Sequence, residues 1–199
     1  MNTERSRRLV QEFREQAPAA RKAIAFEGTL PAGPEQVYAA LCPSRERDWI
    51  PGWKCELIYT ESGYAELDCV FRTPDDNVSG PGLWVCTRHE PPARIEYTRF
   101  VDHVVMHLTI ELTDNGDGTT HSRWTLVLTG IDEQGNLAVG QIPDAAGDRH
   151  VVLPMLTHYL ETGEMVETET LAARGYGGHT LSTMIMRQER QERQERGRS

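Results

Sequence analysis

The amino-acid sequence predicts an α+β fold in which a curved, seven-stranded antiparallel sheet wraps around one long C-terminal helix, with two short helices between strands 1 and 2. Three observations predict it. From Trp53 to Leu128 the chain passes through six short runs rich in β-formers, each bounded by turn residues. A further alternating run, near Ile24, precedes them. After residue 150 the period changes from two to that of an amphipathic helix.

Taken in order, residues 1–20 carry Leu9, Val10 and Phe13 at helical spacing among charges, which predicts a short amphipathic helix stopped by Pro18. "KAIAFEGTL" alternates Ile24 and Phe26 with other residues and reads as a strand. In "PAGPEQVYAALCP", Pro34 suits a first helical turn, Pro43 closes the helix, and Val37, Tyr38 and Leu41 form its buried stripe. A second, one-turn helix follows Pro43, with Arg45, Glu46, Arg47 and Asp48 on its solvent side and Trp49, Ile50 and Trp53 turned inward. Pro51 and Gly52 make the bend into the meander. Its strands are "WKCELIYT", "AELDCVFR", "LWVCTRH", "RIEYTRF", "VVMHLTIEL" and "THSRWTLVL". "TGIDEQGNL" reads as a connection, after which Val152, Met155, Leu156, Tyr159 and Leu160 recur at helical spacing, with Pro154 near the start and Gly163 as C-cap. The segment 166–199, ending in "RQERQERQERGRS", is a charged extension without an apolar face.

Composition bounds the function. A chain of 199 residues, 38% hydrophobic and 26% charged, can bury a core as one domain. Its formal net charge of -9 opposes a nucleic-acid surface, which needs a positive field. No apolar run reaches membrane-spanning or signal length, so a cytoplasmic location is expected. The four cysteines, Cys42, Cys55, Cys69 and Cys86, fit no C-x-x-C spacing and should be thiols there. No nucleotide-binding glycine loop or nucleophile elbow is present, and no cofactor is called for.

The order of elements, with "LCPSRERDWIPGW", "ELIYTESGYAELDCVFRT", "VLTGIDEQGN" and "YLETGE", resembles the START-like, helix-grip superfamily, also called SRPBCC or polyketide-cyclase-like, and within it a group of small bacterial proteins. The resemblance covers residues 22–165 and implies a helix-grip domain over 21–165. It further implies that a small, mainly apolar or aromatic ligand is gripped between sheet and helix, with cyclase-like chemistry where there is any catalysis. Two alternatives stay open: an interaction module resembling activators of chaperone ATPases, and an enzyme using an interior thiol. A homodimer is compatible with either.

Strand parity then selects candidate site residues. A hairpin closed at Glu61-Ser62-Gly63 sets Cys55 opposite Cys69, on a face shared with Trp53, Leu57, Tyr59, Leu67 and Phe71. Trp49 joins Trp53 at the rim. Trp84, Cys86, Tyr97, Met106 and Trp124 complete the aromatic and sulfur-rich interior, and Met155 and Tyr159 face it from the helix. Arg99 and His150 are the polar groups expected there, whereas Arg72 shares the parity of Asp68 and is expected outside. The interior thiols suit packing, redox chemistry or a metal, although zinc lacks a fourth ligand at suitable spacing. His103 and His107 lie four residues apart on one strand, roughly 13 Å at about 3.3 Å per residue, too far to share an ion. Glu111 is expected opposite His121, with Met106 opposite Leu126 and Leu108 opposite Trp124 on the apolar face, which puts the histidines outside. Glu46 and Asp48 are weighed as acids, with an ion pair to Arg45 or Arg47 the simpler account of Glu46.

Overall fold

The computed structural model describes residues 19–144, 150–167 and 169–170. The helix expected over 1–20 and the extension 166–199 therefore fall almost wholly outside the described residues. Seven antiparallel strands form one sheet in the order β1-β7-β6-β5-β4-β3-β2. They are β1 (Arg21–Leu30), β2 (Glu56–Tyr59), β3 (Val70–Thr73), β4 (Gly82–Glu90), β5 (Arg94–Val101), β6 (Val104–Asp114) and β7 (Thr120–Gly130). Helix α1 (Pro34–Ala40) and a 3-10 turn (Glu46–Asp48) join β1 to β2; α2 (Glu133–Gly140) and α3 (Val152–Thr162) follow β7.

Alternation decides which face is inside. Ile24 and Leu30 on β1, Val104, Met106, Ile110 and Leu112 on β6, and Trp124 and Leu128 on β7 are all buried on the concave face. The core continues through Val37 and Leu41 of α1 and Leu153, Met155 and Leu156 of α3. Helix α3 seats on β1 because Gly28 has no side chain: a Cβ there would stand 3.0 Å from Leu153 Cδ1. Gly163, at φ 74°, ends α3 by donating its N–H to the Tyr159 carbonyl at 2.7 Å.

Two registers differ from the sequence reading. In β2 and β3, Leu57 lies opposite Phe71 and Glu56 opposite Arg72, so Cys55 does not face Cys69. Strand β3 begins only at Val70, because Asp68 adopts a positive φ of 63° and the 60–69 connection is longer than a tight turn. Cys69 instead neighbours Cys86, whose N–H donates to the Cys69 carbonyl at 3.0 Å. Between β6 and β7, Glu111 pairs with Arg123, Met106 with Leu128 and Leu108 with Leu126. The slip is two residues, so the face assignment survives while every partner changes.

Helix α2 is the element that the sequence reading treated as a plain connection. The Asp132 carboxylate caps it by accepting the Gly135 N–H at 2.9 Å. It lies so close to the β5–β6 turn and the end of β7 that a Cβ on Gly135 would stand 1.9 Å from the His103 carbonyl oxygen and 3.0 Å from Gly130 Cα.

Candidate functional site

The connection between α1 and β2 folds over the concave face beside β3, β4 and β5, and its buried end is anchored by indole and thiol donors. Trp49 is 0% exposed and donates its indole N–H to the Ala40 carbonyl at 2.9 Å. Trp53 and Cys55 both donate to the Pro43 carbonyl, at 2.8 and 3.2 Å, and both stay half-buried. Against them stand Trp84, edge-on to Trp53 with centroids 6.4 Å apart, Phe71 stacked on Trp84 at 5.5 Å, and Tyr97 edge-on to both. The Tyr97 hydroxyl donates to the Leu41 carbonyl at 3.2 Å.

Sequence parity therefore gathers Trp53, Cys55, Phe71, Trp84 and Tyr97 into one cluster, with the fully covered Cys69 and Cys86 beside it. Burial pushes the Cys55 thiol up. Donation from Cys86 holds the Cys69 thiol down, and the same contact pushes Cys86 up. Arg99 is buried over the Trp84 ring, 4.9 Å from its centroid, where it donates to the Ser79, Gly80 and Pro81 carbonyls. Loss of hydration lowers its pKa to about 10. Met106 packs beside it as its cross-strand neighbour.

Trp124 belongs to a second cluster at the other edge. Phe26 stacks on Trp124 at 5.8 Å and on His150 at 4.0 Å, while Trp124 donates to Ser122 Oγ at 2.8 Å. Burial lowers the His150 pKa, and its buried Nδ1 has no hydrogen-bond partner among the described residues. His150, Leu153, Pro154, Thr157, His158 and Glu161 line one wall of an open groove of about 320 Å³, with Glu27 and Gly28 opposite. Met155 is buried and Tyr159 half-buried on α3.

Tyr59 departs from the expected site. A bulge between Leu57 and Tyr59 breaks the alternation, leaving Tyr59 53% exposed with its hydroxyl on Glu61. Arg72 is outside, paired with Glu56 at 2.7 Å. The histidines lie on the outer face: His107 contacts Thr98 and Glu96, and His103 contacts Asp132.

Glu46 is the largest revision. Its neighbour Asp48 pairs with Arg45 at 3.4 Å, and Arg47 donates to the Ser44 carbonyl. Glu46 takes part in neither contact, so the expected ion pair is not formed, and the residue is half-buried rather than exposed. Its carboxyl is largely withdrawn from water. Desolvation pushes its pKa up to about 8. Burial raises the Tyr97 and Cys55 pKa values, and negative charge on Glu46 adds to both shifts.

Parity could have found two further residues. Leu108 and Leu126 are cross-strand partners in the middle of the concave face, and they remain half-buried between covered neighbours. The inner face is thus open at its centre. Among the described residues no cluster of histidine, cysteine, aspartate or glutamate has metal-binding geometry, and no helix is long and apolar enough to cross a membrane.

No family model matches the chain, and no curated protein does. Solved structures do. A point mutant of norcoclaurine synthase from Thalictrum flavum, in complex with a transition-state analogue, is similar at a TM-score of 0.56 and 12% identity, over 74% of this chain and 99% of that one. The same synthase in complex with dopamine and hydroxybenzaldehyde gives 0.53 and 12% identity over 73% and 90%. Ara h 8.0201 gives 0.51 and 14% identity over 72% and 99%. At these identities the likeness is one of fold, and with its seven-stranded antiparallel sheet, the two short helices after β1 and the helix at 152–162 the chain has the helix-grip α+β fold.

Proposed function

We propose that this protein binds a small, mainly apolar or aromatic molecule between the concave face of its sheet and its C-terminal helix. One observation carries the reading: Leu108 and Leu126 stay half-buried at the centre of a face whose surrounding residues, Met106, Ile110, Trp124 and Leu128, are covered. Apolar surface facing internal space is favourably filled by an apolar ligand, at roughly 25 cal/mol per Å² removed from water. The fold supports it, since norcoclaurine synthase of this architecture is solved with dopamine and hydroxybenzaldehyde, two small aromatic molecules.

Any chemistry would be of the cyclase kind, in which the site holds a flexible substrate in a reactive conformation and keeps water away. The site would act in the cytoplasm, with its four cysteines as thiols.

Intrinsic tryptophan fluorescence tests the proposal during titration with a panel of aromatic and acyl compounds, since Trp53 and Trp84 lie beside the site. Saturable quenching or a spectral shift at micromolar concentration is expected, with a co-purifying ligand seen by native mass spectrometry where one is retained. No saturable response across the panel, with no retained molecule, overturns it.

A further inference from the structure

Cys69, the residue before β3, stands opposite Cys86 of β4. Asp68 donates its N–H to the Cys86 carbonyl at 2.9 Å, and Cys86 returns its own N–H to the Cys69 carbonyl at 3.0 Å. With Asp68 at a φ of 63°, this is a bulge whose first residue is left-handed, and it pairs Cys69 with Cys86. The pair continues the register in which Val70 faces Val85 and Phe71 faces Trp84. Both cysteines are 0% exposed in the core on the concave side. Paired residues of an antiparallel ladder hold their Cα atoms about 4.5–5.5 Å apart, inside the usual disulfide range of about 4.4–6.8 Å. The other two thiols are engaged elsewhere: Cys42 accepts the Ala65 N–H and contacts Ser44 Oγ, and Cys55 donates to the Pro43 carbonyl.

We propose that Cys69 and Cys86 form a reversible oxidation site that closes to a disulfide on reaction with hydrogen peroxide. The thiolate of one cysteine attacks a peroxide oxygen, the O–O bond breaks, and a sulfenic acid forms while hydroxide leaves and takes up a proton as water. The thiolate of the other attacks that sulfur, the S–O bond breaks, and the oxygen leaves with a proton as a second water. The two thiols are thereby oxidised by two electrons, and one peroxide is reduced to two waters. Adjacency makes the step reversible, because the second thiol traps the sulfenic acid before it passes to the irreversible acids. A reducing compartment then restores both thiols. The hydrogen bond between the thiols, which holds the Cys69 pKa down, favours the thiolate that the reaction needs.

Neither sulfur meets solvent in the closed fold, so reaction waits on local opening. This corner of the sheet suits that. Strand β3 has four residues, and beyond it lies only the four-residue edge strand β2, whose pairing with β3 is interrupted by a bulge.

Peptide mapping tests the proposal. The full chain, reduced and desalted, is treated with hydrogen peroxide at neutral pH, capped with N-ethylmaleimide and digested without reductant by trypsin and a glutamyl endopeptidase. Cleavage after Glu56, Glu61, Glu66 and Arg72 puts Cys55, Cys69 and Cys86 on different peptides. The expected result is an intact mass lower by about 2 Da, the two hydrogens lost. The map should show Cys69 joined to Cys86, and dithiothreitol should reverse the link completely. In Cys86→Ala the bridge should be absent, with Cys69 accumulating as a sulfenic acid that dimedone labels. A bridge between any other pair, a link between two copies, or oxidation of either cysteine to sulfinic or sulfonic acid without a bridge overturns the proposal. So does finding all four thiols still free when the treated protein is denatured and titrated. The wild-type map decides the matter whether or not the alanine variant folds, and no readout depends on the ligand-binding reading.

Discussion

Trp49 and Trp53 stand four residues apart and have different jobs. Trp49 donates to the last carbonyl of α1 and is covered completely, whereas Trp53 shares the Pro43 carbonyl with Cys55 and stays half-buried. Replacing a fully packed tryptophan by alanine removes its burial, leaves a cavity and strips the Ala40 carbonyl of its donor, a loss of about 3–5 kcal/mol. Trp49→Ala should therefore unfold at much lower denaturant concentration than wild type. Trp53→Ala should cost markedly less stability and weaken ligand binding by a larger factor than its stability change accounts for, as chemical denaturation and probe titration on the same samples would show. Equal stability losses in the two variants would assign both indoles to the core. The sequence reading placed both tryptophans at the rim, whereas the structure covers Trp49 completely and leaves Trp53 half-buried. Their division was not legible, because it depends on which indole the α1 carbonyls can reach.

At the scale of elements, α2 shows how a helix can be set by its neighbours. "EQGNLAVG" contains two glycines, and Leu137 is 61% exposed, so no apolar stripe of helical period announces it. What holds it is the Asp132 cap, which also receives His103, and the close approach of Gly135 to the His103 carbonyl. Asp132→Ala should lower stability by about 1 kcal/mol, the usual worth of an N-cap, with probe binding unchanged. Gly135→Ala should cost more, because its methyl cannot be accommodated without moving α2 from the His103 carbonyl of the β5–β6 turn. Thermal unfolding of the pair orders them; a Gly135→Ala variant as stable as wild type would show that the approach is looser than described. The α3 helix, in contrast, was plain from Met155, Leu156 and the Gly163 cap, since an amphipathic period and a left-handed terminus are local properties.

For the molecule as a whole, Glu46 ties folding to pH. Its carboxyl has a pKa near 4.5 when unfolded and about 8 when folded, so between those values the unfolded state releases a proton that the folded state retains. The stabilising contribution is complete below pH 4.5 and is lost as pH rises to about 8, at a slope of about 1.4 kcal/mol per pH unit at most. Glu46→Gln removes this titration. It should match wild type near pH 4.5 and exceed it in Tm at pH 8 and above, measured by differential scanning calorimetry in matched buffers. Parallel pH profiles would show that the carboxyl is hydrated and ionised in the folded protein.

The sequence by itself determined the sheet, the long helix and the concave face, because alternation, amphipathic period and turn residues act within a few residues of one another. A two-residue slip between β6 and β7 left every side chain on its predicted side. Tertiary structure alone decided the registers, the partner of Cys69 and the partial burial of Glu46. In the chain Glu46 stands between two arginines, and local charge favours an ion pair there. In the folded protein those arginines are drawn to Asp48 and to the Ser44 carbonyl, and the Glu46 carboxyl, which joins neither contact, is withdrawn from water. Which of four adjacent charges is withdrawn from water depends on backbone geometry and on competition among partners, and neither is written in the spacing of residues.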